Sequence, residues 1–367
     1  MNQRVKDCLV RFAGRLIDQA NARVLVPPQQ ASTGFWFGGG NMIQLADGSI
    51  ALVGRYRNFG DSRTGVGAGD RGLELAIFQA PTFDQPFTKV KSFTKQQVAP
   101  EGIKVVSIEG AALRRDDQGI ELFISTEKDR PYPDSVVSYR KPGTGVWSID
   151  VMRAKSIEAL TPTPTPLLET DDLPRLHIKD PVCWDMPDGR TILMYCTHPY
   201  TWSSSNTAAV ARDAGDDTFH KLTDQFLARG MVWDIAACRV TERLPIPQVG
   251  HFKDLPAMSL YFVDGAECMR QLDENAKAVN RPRGYSCEEI GGLAIGIDEA
   301  FPKVSHLTEE APIFISPKGT GCSRYVSTLT TDDAIYASWQ QSQDDLSQPL
   351  VGHGLSMEEV ESLLTCD

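Results

Sequence analysis

Short apolar runs that alternate with polar turns recur along this chain. Five times, an apolar run that opens with a small or acidic residue leads through a turn into a second β-rich run. The five copies span 38–57, 108–128, 179–198, 233–267 and 322–341. In three of them the turn is Asp-Gly or Gln-Gly, which is typical of a tight hairpin. The pattern therefore predicts five hairpins.

A further pair of strands is predicted after most of these hairpins. The segments 73–93 and 293–307 share a Phe-x-Lys-Val sequence, and similar material occurs at 135–151 and 207–227. Repetition of this kind indicates a repeat architecture, and five units of four strands predict an all-β, five-bladed β-propeller. We expect one domain over residues 1–367, with blades near 34–95, 105–160, 176–228, 231–315 and 320–355.

Two terminal segments and one proline-rich segment lie outside the repeat. Apolar residues recur at helical spacing over 2–21, and 23–26 is predicted to be a strand that closes the propeller. A capping box formed by Ser356 and Glu359 predicts a short C-terminal helix. The alternating Thr-Pro run at 161–166 is expected to be an extended surface connection between the second and third blades.

Composition and charge narrow the classes of partner. The chain has 41% apolar and 23% charged residues, as expected of a globular protein, and a formal net charge of −11. This charge would repel a phosphate backbone, so we expect no nucleic acid partner. No apolar run approaches the roughly 18 residues needed to span a bilayer, so no membrane partner is expected. The oligomeric state is left open.

Location and redox state are predicted from the N-terminus and the cysteines. Residues 1–28 lack the pattern of a secretory signal, which favours a cytoplasmic protein. The eight cysteines are scattered, with no Cys-x-x-Cys pair and no spacing suited to zinc. We expect most of them to be reduced and buried.

Acidic residues occupy the starts of three predicted inner strands. In a propeller these starts converge on the central channel, so distance in sequence does not prevent contact. The five starts offer, in chain order, 38–41, Glu109, Asp180, Asp234, and Ser323 with Arg324. Each of the three acids is embedded in an apolar stretch, where it destabilises the fold unless it is paired, hydrogen bonded or functional. The alternative is that each acid only accepts backbone hydrogen bonds or pairs with an arginine.

Clustered carboxylates of this kind suit glycoside hydrolysis. Neighbouring carboxyl groups shift one another's pKa, so one can hold a proton while another stays ionised. Hydrolysis of a glycoside needs one group to protonate the leaving oxygen and a second to activate water or attack the sugar. A glycosidase that acts at the mouth of the channel is therefore the leading prediction.

The third blade carries the residues of a known pattern. The run from Lys179-Asp180-Pro181 through Asp188-Gly189 to Tyr195 resembles the motif of five-bladed propeller glycosidases of the arabinanase and β-xylosidase type and of the invertase and levansucrase type. Glu109-Gly110 is similar to their acid motif. The resemblance implies that Asp180 orients its partners and tunes their pKa, that Glu109 is the general acid, and that Asp234 is the base or nucleophile.

The first blade departs from this pattern. In those families the base or nucleophile is an Asp of the first blade, followed by the tuning Asp and the acid Glu on the next two. Here the first blade offers Gly-Gly-Gly-Asn at 38–41, and the acids run Glu, Asp, Asp over blades two to four. The roles of Glu109 and Asp234 could therefore be exchanged, and Glu288 or Glu289 could supply a missing acid or base.

Polar and aromatic residues at strand ends and in loops are candidates for binding a sugar, because sugars need aromatic faces and dense hydrogen-bonding groups. The candidate binding residues are Trp36, Asn41, Arg55, Arg57, Arg71, Glu127, His198, Trp202, Glu267, Glu288, Arg324 and Trp339, and the wider set includes Asp264 and Gln340. Trp36 and Trp233 could instead be core residues. Arg324 could pair with an acid or bind a carboxylated or sulfated sugar.

Two other classes of function stay open. A non-catalytic propeller that binds carbohydrate or protein would keep the aromatic residues without needing three inward acids. A metal-dependent hydrolase or lactonase would use the acids with Asn41 and His198 to hold an ion such as Ca²⁺ through oxygen ligands. No other cofactor is expected. The expected partner is a small carbohydrate or oligosaccharide, whose sugar and linkage the sequence leaves open.

Overall fold

The computed structural model describes residues 3–58, 72–268 and 289–366, and it is a five-bladed β-propeller. The chain begins with helix α1 (Gln3–Leu16) and strand β1 (Arg23–Val26). The first blade contains β2 (Trp36–Gly38), β3 (Met42–Gln44), β4 (Ile50–Arg57), β5 (Glu74–Ala80) and β6 (Thr88–Thr94). The second contains β7 (Val105–Asp116), β8 (Gly119–Lys128), β9 (Val146–Ala154) and β10 (Thr165–Leu168).

In the remaining three blades, too, neighbouring strands pair antiparallel. The third contains β11 (His177–Asp185), β12 (Thr191–His198), β13 (Asn206–Arg212) and β14 (His220–Leu227). The fourth contains β15 (Ala237–Pro245), β16 (Met258–Ala266), β17 (Ile290–Ile297) and β18 (Ser305–His306). The fifth contains β19 (Ser323–Thr330), β20 (Ala334–Gln341) and β21 (Leu350–Ser356), and helix α2 (Met357–Leu364) follows. Each predicted hairpin thus coincides with the two inner strands of one blade.

The two ends of the chain close the ring. Strand β1 pairs antiparallel with β21 and is the outermost strand of the fifth blade, as the sequence predicts. Helix α1 ends earlier than predicted, because the carboxylate of Asp18 accepts hydrogen bonds from the amides of Ala20 and Asn21 and starts a turn. Helix α2 carries the predicted capping box. Cys8 and Cys366 form a disulfide that joins the two terminal segments.

Part of the proline-rich run is a strand, so its prediction as a connection is wrong at that part. Thr165 and Pro166 belong to β10, the outer strand of the second blade. Because an outer strand has one free edge, the missing amide of a proline there breaks no hydrogen bond of the sheet.

Apolar side chains fill the spaces between blades. Between the third and fourth blades, for example, Met194, Cys238 and Val263 belong to one buried cluster. Within the described ranges, none of the helices has the length and apolar character needed to cross a bilayer. The inner strands are therefore held rigidly around the axis, where their side chains meet.

Candidate functional site

The inner strands carry irregularities at one level of the propeller. Pairing between the first two strands skips two residues at Glu109-Gly110, Asp180-Pro181 and Tyr325-Val326, on blades two, three and five. A bulge of this kind changes the direction of a side chain. Asp180 and Tyr325 have φ of 54° and 55°, a conformation that non-glycine residues adopt at a cost and that occurs often at functional sites.

The structure brings Glu109 and Asp180 together. Lys179 Nζ lies 4.0 Å from Glu109 Oε2 and 3.9 Å from Asp180 Oδ2. Glu109 also forms an ion pair with Arg57 and accepts a hydrogen bond of 2.9 Å from Ser107 Oγ. Both acids are buried, at 2% and 4% exposure. Two of the three predicted acids therefore share one site.

Arg239 links Asp180 to two further acids. Its Nη1 donates to Asp180 Oδ2 at 3.0 Å, and its Nη2 donates to Asp264 Oδ2 at 2.9 Å and to Glu289 Oε1 at 2.7 Å. The guanidinium also stacks 4.2 Å from the ring centroid of Tyr325. We call the whole cluster the axial network: Glu109, Asp180, Asp264, Glu289, Arg55, Arg57, Lys179, Arg239 and Arg324.

Arg55 fills the first-blade position at which the resemblance implies an acid. Its Nη1 donates to the carbonyl of Gly38 at 2.7 Å, and its Nη2 donates to the hydroxyl of Tyr325 at 3.1 Å. That hydroxyl donates in turn to Asp180 Oδ2 at 3.3 Å. Gly39, with φ of 72°, leaves the space that the guanidinium occupies. The first blade thus contributes a positive charge to the axis.

Asp234 does not belong to the axial network, so its predicted position beside Glu109 and Asp180 is corrected. It lies three residues before β15, and its neighbour is His306, whose Nδ1 lies 3.5 Å from Oδ2. Within residues 3–58, 72–268 and 289–366, no hydrogen bond or ion pair joins it to the other two acids. On this blade the inner strand contributes Arg239, and the acid comes from the second strand as Asp264.

Burial and the neighbouring cations divide the acids into two kinds. Burial disfavours the charged form of Glu109, but Arg57 and Lys179 outweigh it and lower its pKa to about 2. Lys179 and Arg239 likewise overcome burial and lower the pKa of Asp180. At Asp264 burial outweighs Arg239, and the pKa rises to about 6. One site therefore contains ionised carboxylates and one carboxyl that can hold a proton near neutral pH.

The network has an outer layer that reaches solvent. The side chains of Arg57, Lys179, Arg324 and Glu289 are 10%, 12%, 12% and 18% exposed, whereas those of Asp180, Arg239 and Asp264 are below 5%. Arg324 forms an ion pair with Glu289. A ligand at this end of the channel would therefore meet the outer layer first.

Aromatic side chains flank the outer layer. Arg324 and Arg57 lie over Trp36, at 4.6 Å and 5.7 Å from its ring centroid. Lys179 lies 5.1 Å from the ring centroid of Trp202. The predicted binding residues Arg57, Trp202 and Arg324 therefore lie beside the acids, whereas Trp36 is buried, as the alternative of a core residue expects.

His198 is a neutral part of the aromatic wall. Its ring stacks 4.1 Å from that of Trp202, and its Nδ1 lies 2.8 Å from the carbonyl oxygen of Ser204. Burial and the nearby Lys179 lower its pKa well below the usual value. The imidazole is thus uncharged at neutral pH.

Several other predicted binding residues have structural contacts. The amide of Asn41 pairs with the backbone of Leu113, at 2.8 Å and 2.7 Å, and joins the first two blades. Glu127 is fully buried and accepts a hydrogen bond from the amide of Gly145 at 2.7 Å. Trp339 is buried and donates to Gln19.

The remaining predicted residues lie apart from the acids. Glu267 is exposed, and Arg71 and Glu288 lie outside the described residues. Trp233 packs against Gly265 and donates to the carbonyl of Thr308 at 3.1 Å, as a core residue does. The residues that the main prediction missed are Lys179, Arg239 and Tyr325, although the first directly precedes the Asp-Pro pair.

A narrow cavity continues along the axis beneath the network. It is lined by Gly39, Asp180, Arg239, Glu242 and Tyr325, among others, and has a volume of about 20 Å³. This is room for about one water molecule. Burial raises the pKa of Glu242 to about 7, although Ser327 and Thr328 donate hydrogen bonds to it. A sugar would not fit here, so the outer layer is the candidate binding surface.

The chain is thus a five-bladed propeller with a charged site of carboxylates and arginines on its axis. No protein-family model matches the chain, and no curated protein matches it significantly in sequence. Solved structures share the fold. The β-xylosidase RS223 has a TM-score of 0.55 at 11% identity, with 92% of this chain and 95% of that chain covered.

Two further structures are similar over most of their length. The GH43_1 enzyme from Xanthomonas citri complexed with xylose has a TM-score of 0.53 at 9% identity, with 95% of this chain and 93% of that chain covered. The β-1,2-mannobiose phosphorylase from Listeria innocua has a TM-score of 0.54 at 10% identity, with 94% and 97% covered. At these identities the likeness establishes the five-bladed fold.

Proposed function

We propose that this protein is a glycan-processing enzyme, most specifically a glycoside hydrolase, that acts on a sugar bound at the outer layer of the axial network. The observation that carries the proposal is the meeting of Glu109, Asp180, Asp264 and Glu289 on the axis. Collecting three buried acids and a partly buried fourth destabilises a fold, and neighbouring cations offset this only in part, so such a cluster favours a functional role.

The charge states suggest a division of labour. Glu109 stays ionised over the physiological pH range, so it fits the base that activates water or the nucleophile that attacks the sugar. Asp264 keeps a proton up to a pH of about 6 and fits the source of the proton for the leaving oxygen. Because its side chain is fully buried beneath the outer layer, in this assignment the proton reaches the leaving oxygen through an intervening water molecule. Asp180, held by Lys179 and Arg239, orients the cluster. In this assignment Glu109 takes the base or nucleophile role, the exchange that the first blade suggested.

The similar structures agree with this class of substrate. Two of them are described as a β-xylosidase and as an enzyme complexed with xylose, and a third as a phosphorylase of mannobiose. The ring of Trp202, which is only half-buried beside the outer layer, offers a sugar a face against which its C–H surfaces can pack, whereas Trp36 is buried beneath Arg324. A small carbohydrate is therefore the proposed ligand.

The positive charge on the axis disfavours the alternative of a metal-dependent hydrolase or lactonase. Five cations surround the four acids, and the amide of Asn41 and Nδ1 of His198 both lie in contact with backbone groups. A Ca²⁺ ion held by these acids would lie close to several positive charges, which is electrostatically unfavourable. These contacts support an acid–base mechanism that uses carboxylates.

One observation favours a second candidate function. The first blade has no acid at 38–41, and the guanidinium of Arg55 lies against Gly39 there, which suits a propeller that binds a sugar without cleaving it. A glycoside hydrolase would cleave its substrate, whereas a binding propeller would bind a sugar and leave it intact. Purified protein would be incubated with oligosaccharides and aryl glycosides of xylose, arabinose, galactose, fructose, mannose and uronic acids, each with and without inorganic phosphate.

The products distinguish the outcomes. Release of a free sugar from at least one glycoside would support hydrolysis, and formation of a sugar phosphate only with phosphate would support phosphorolysis at the same site. If sugars bind, as measured by calorimetry, but no panel member is turned over, the binding propeller is the better account.

A further inference from the structure

Three potential metal ligands meet outside the axial network, where the chain passes from the third blade to the fourth. They are a carboxylate oxygen of Asp234, Sγ of Cys238 and a ring nitrogen of His306, and these atoms all lie within 4.8 Å of one another. Asp234 precedes β15, Cys238 lies in β15, and His306 lies in β18. The fold thus gathers them from three parts of one blade.

The carboxylate of Asp234 is buried with little compensation, since His306 is its one titratable neighbour among the ion pairs of the described residues. The residue is 1% exposed, and neither oxygen accepts a hydrogen bond of acceptable geometry within the described part of the chain. The backbone of Gly230 packs directly against it, since a Cβ on Gly230 would lie 1.9 Å from Oδ1. A buried carboxylate that accepts no hydrogen bond is unfavourable, so a cation at this place would stabilise the fold.

The orientation of His306 leaves one nitrogen available. Its Nε2 lies 2.6 Å from the carbonyl oxygen of Ala228, so this nitrogen carries a hydrogen and donates it. In the neutral ring Nδ1 then bears a lone pair, and it lies 3.5 Å from Asp234 Oδ2. Two acceptors would face each other, which a cation between them resolves. A backbone carbonyl that fixes the other ring nitrogen is the usual support of a metal-binding histidine.

The thiol of Cys238 indicates which metal ion this set of ligands would prefer. Its side chain is fully buried, and a thiolate, an imidazole and a carboxylate together form a ligand set that Zn²⁺ accepts at tetrahedral sites. Cys238 follows Asp234 by 4 residues and precedes His306 by 68, so no short sequence motif predicts this site. A protonated imidazole alone would pair with Asp234 but would leave the thiol unused.

We propose that Asp234, Cys238 and His306 bind one Zn²⁺ ion that ties the connection between blades three and four to the edge of the fourth blade. Three protein ligands leave a fourth tetrahedral position, and His306 is the ligand that reaches solvent, with a side chain that is 15% exposed. The site is separate from the proposed catalytic cluster and stabilises the fourth blade.

Cobalt provides the direct probe. Reduced, EDTA-treated protein would be titrated with Co²⁺, and Zn²⁺ stoichiometry would be measured by equilibrium dialysis and elemental analysis. We expect one ion per chain, an intense visible spectrum of tetrahedral Co²⁺ and a near-ultraviolet thiolate-to-cobalt band. Cys238→Ser should lose that band, and His306→Ala or Asp234→Asn should weaken binding by roughly 10- to 100-fold or more.

A matched variant controls for other thiols. Cys196 is also buried, with Sγ 3.4 Å from His198 Nε2, but the structure gathers no third ligand of that kind beside it within the described residues. Cys196→Ser should keep the cobalt spectrum. His306→Ala should remain folded and lose the rise in melting temperature that Zn²⁺ gives the unmodified protein.

The proposal is overturned by any of three results. The first is no stoichiometric binding by the unmodified protein, and the second is a cobalt complex without the thiolate band. The third is a folded Cys238→Ser or His306→Ala variant that binds as the unmodified protein does.

Discussion

The guanidinium of Arg55 occupies the space that a side chain on Gly39 would need. A Cβ on Gly39 would lie 1.4 Å from Arg55 Nη1, and the glycine has φ of 72°. Gly39 therefore has a function in packing, because it lets an arginine of the second strand reach the axis. Through Tyr325, Arg55 then contacts Asp180 on the third blade.

Replacing Gly39 with alanine should destabilise the protein by about 3 kcal/mol, because the new Cβ adopts an unfavourable φ and displaces Arg55 from its partners. The matched control is Gly48→Ala, since Gly48 has φ of 85° but open space around it. That variant should lose about 1 kcal/mol, from the backbone alone. Urea unfolding would measure both, and equal losses would show that Arg55 is not held by the glycine.

Removing Arg239 should lower the free energy of unfolding at least as much as the Gly39 substitution does. Arg239→Met leaves Asp180, Asp264 and Glu289 without their shared partner, and the loss of one member of a buried ion cluster costs about 3–5 kcal/mol. Arg190→Met removes only a surface pair with Asp188 and should change the free energy of unfolding by less than about 0.5 kcal/mol. A small effect of Arg239→Met at pH 7 would mean that the three acids are not held as charged groups.

Activity should decline as pH rises through about 6. The folded protein keeps the Asp264 proton to a pKa of about 6, above the usual value of 3.8, because burial disfavours the charged form. The raised pKa also means that the contribution of this carboxyl to stability is present below pH 4 and is lost as pH rises toward 6. Asp264→Asn should remove this limb from the pH profile of kcat, and an unchanged limb would assign the proton to another group.

The link between Cys8 and Cys366 should stabilise the closed ring. It joins residues separated by 358 positions, so it restricts a very long loop of the unfolded chain. Cys8→Ser should lower the free energy of unfolding of oxidised protein by about 3–5 kcal/mol and make the melting temperature insensitive to dithiothreitol. Cys196→Ser, at a buried cysteine outside the disulfide, should keep that sensitivity. If it too abolishes the sensitivity, the link does not stabilise the ring.

The fold could be predicted from the sequence because its signals are local. Short apolar runs separated by turns identify each hairpin, three of them through an Asp-Gly or Gln-Gly turn, and five similar hairpins give the blade number. The strand 23–26 and the capping box at Ser356 followed from equally short patterns. The exception was Thr165-Pro166, where the preference of proline against central strands does not apply to an outer one.

The site could be predicted only in part, because it depends on register. Glu109 and Asp180 were found since both lie within inner strands, at bulges that direct them to the axis. Asp234 precedes its strand by three residues, and nothing in the alternation of the sequence shows where β15 begins. Arg239 and Asp264 face each other across two strands of one blade, a pairing that only the register reveals.

The most direct test of the account compares two glutamate variants on the best glycoside. Glu109→Gln should lower kcat by about 10²–10⁴-fold while sugar affinity stays within about threefold, because Gln keeps the shape and loses the base. Glu121→Gln changes another buried glutamate, paired with Arg114 and Arg212 away from the axis, and should leave kcat nearly unchanged. Equal kcat values for folded Glu109→Gln and the unmodified protein would contradict a catalytic axial network.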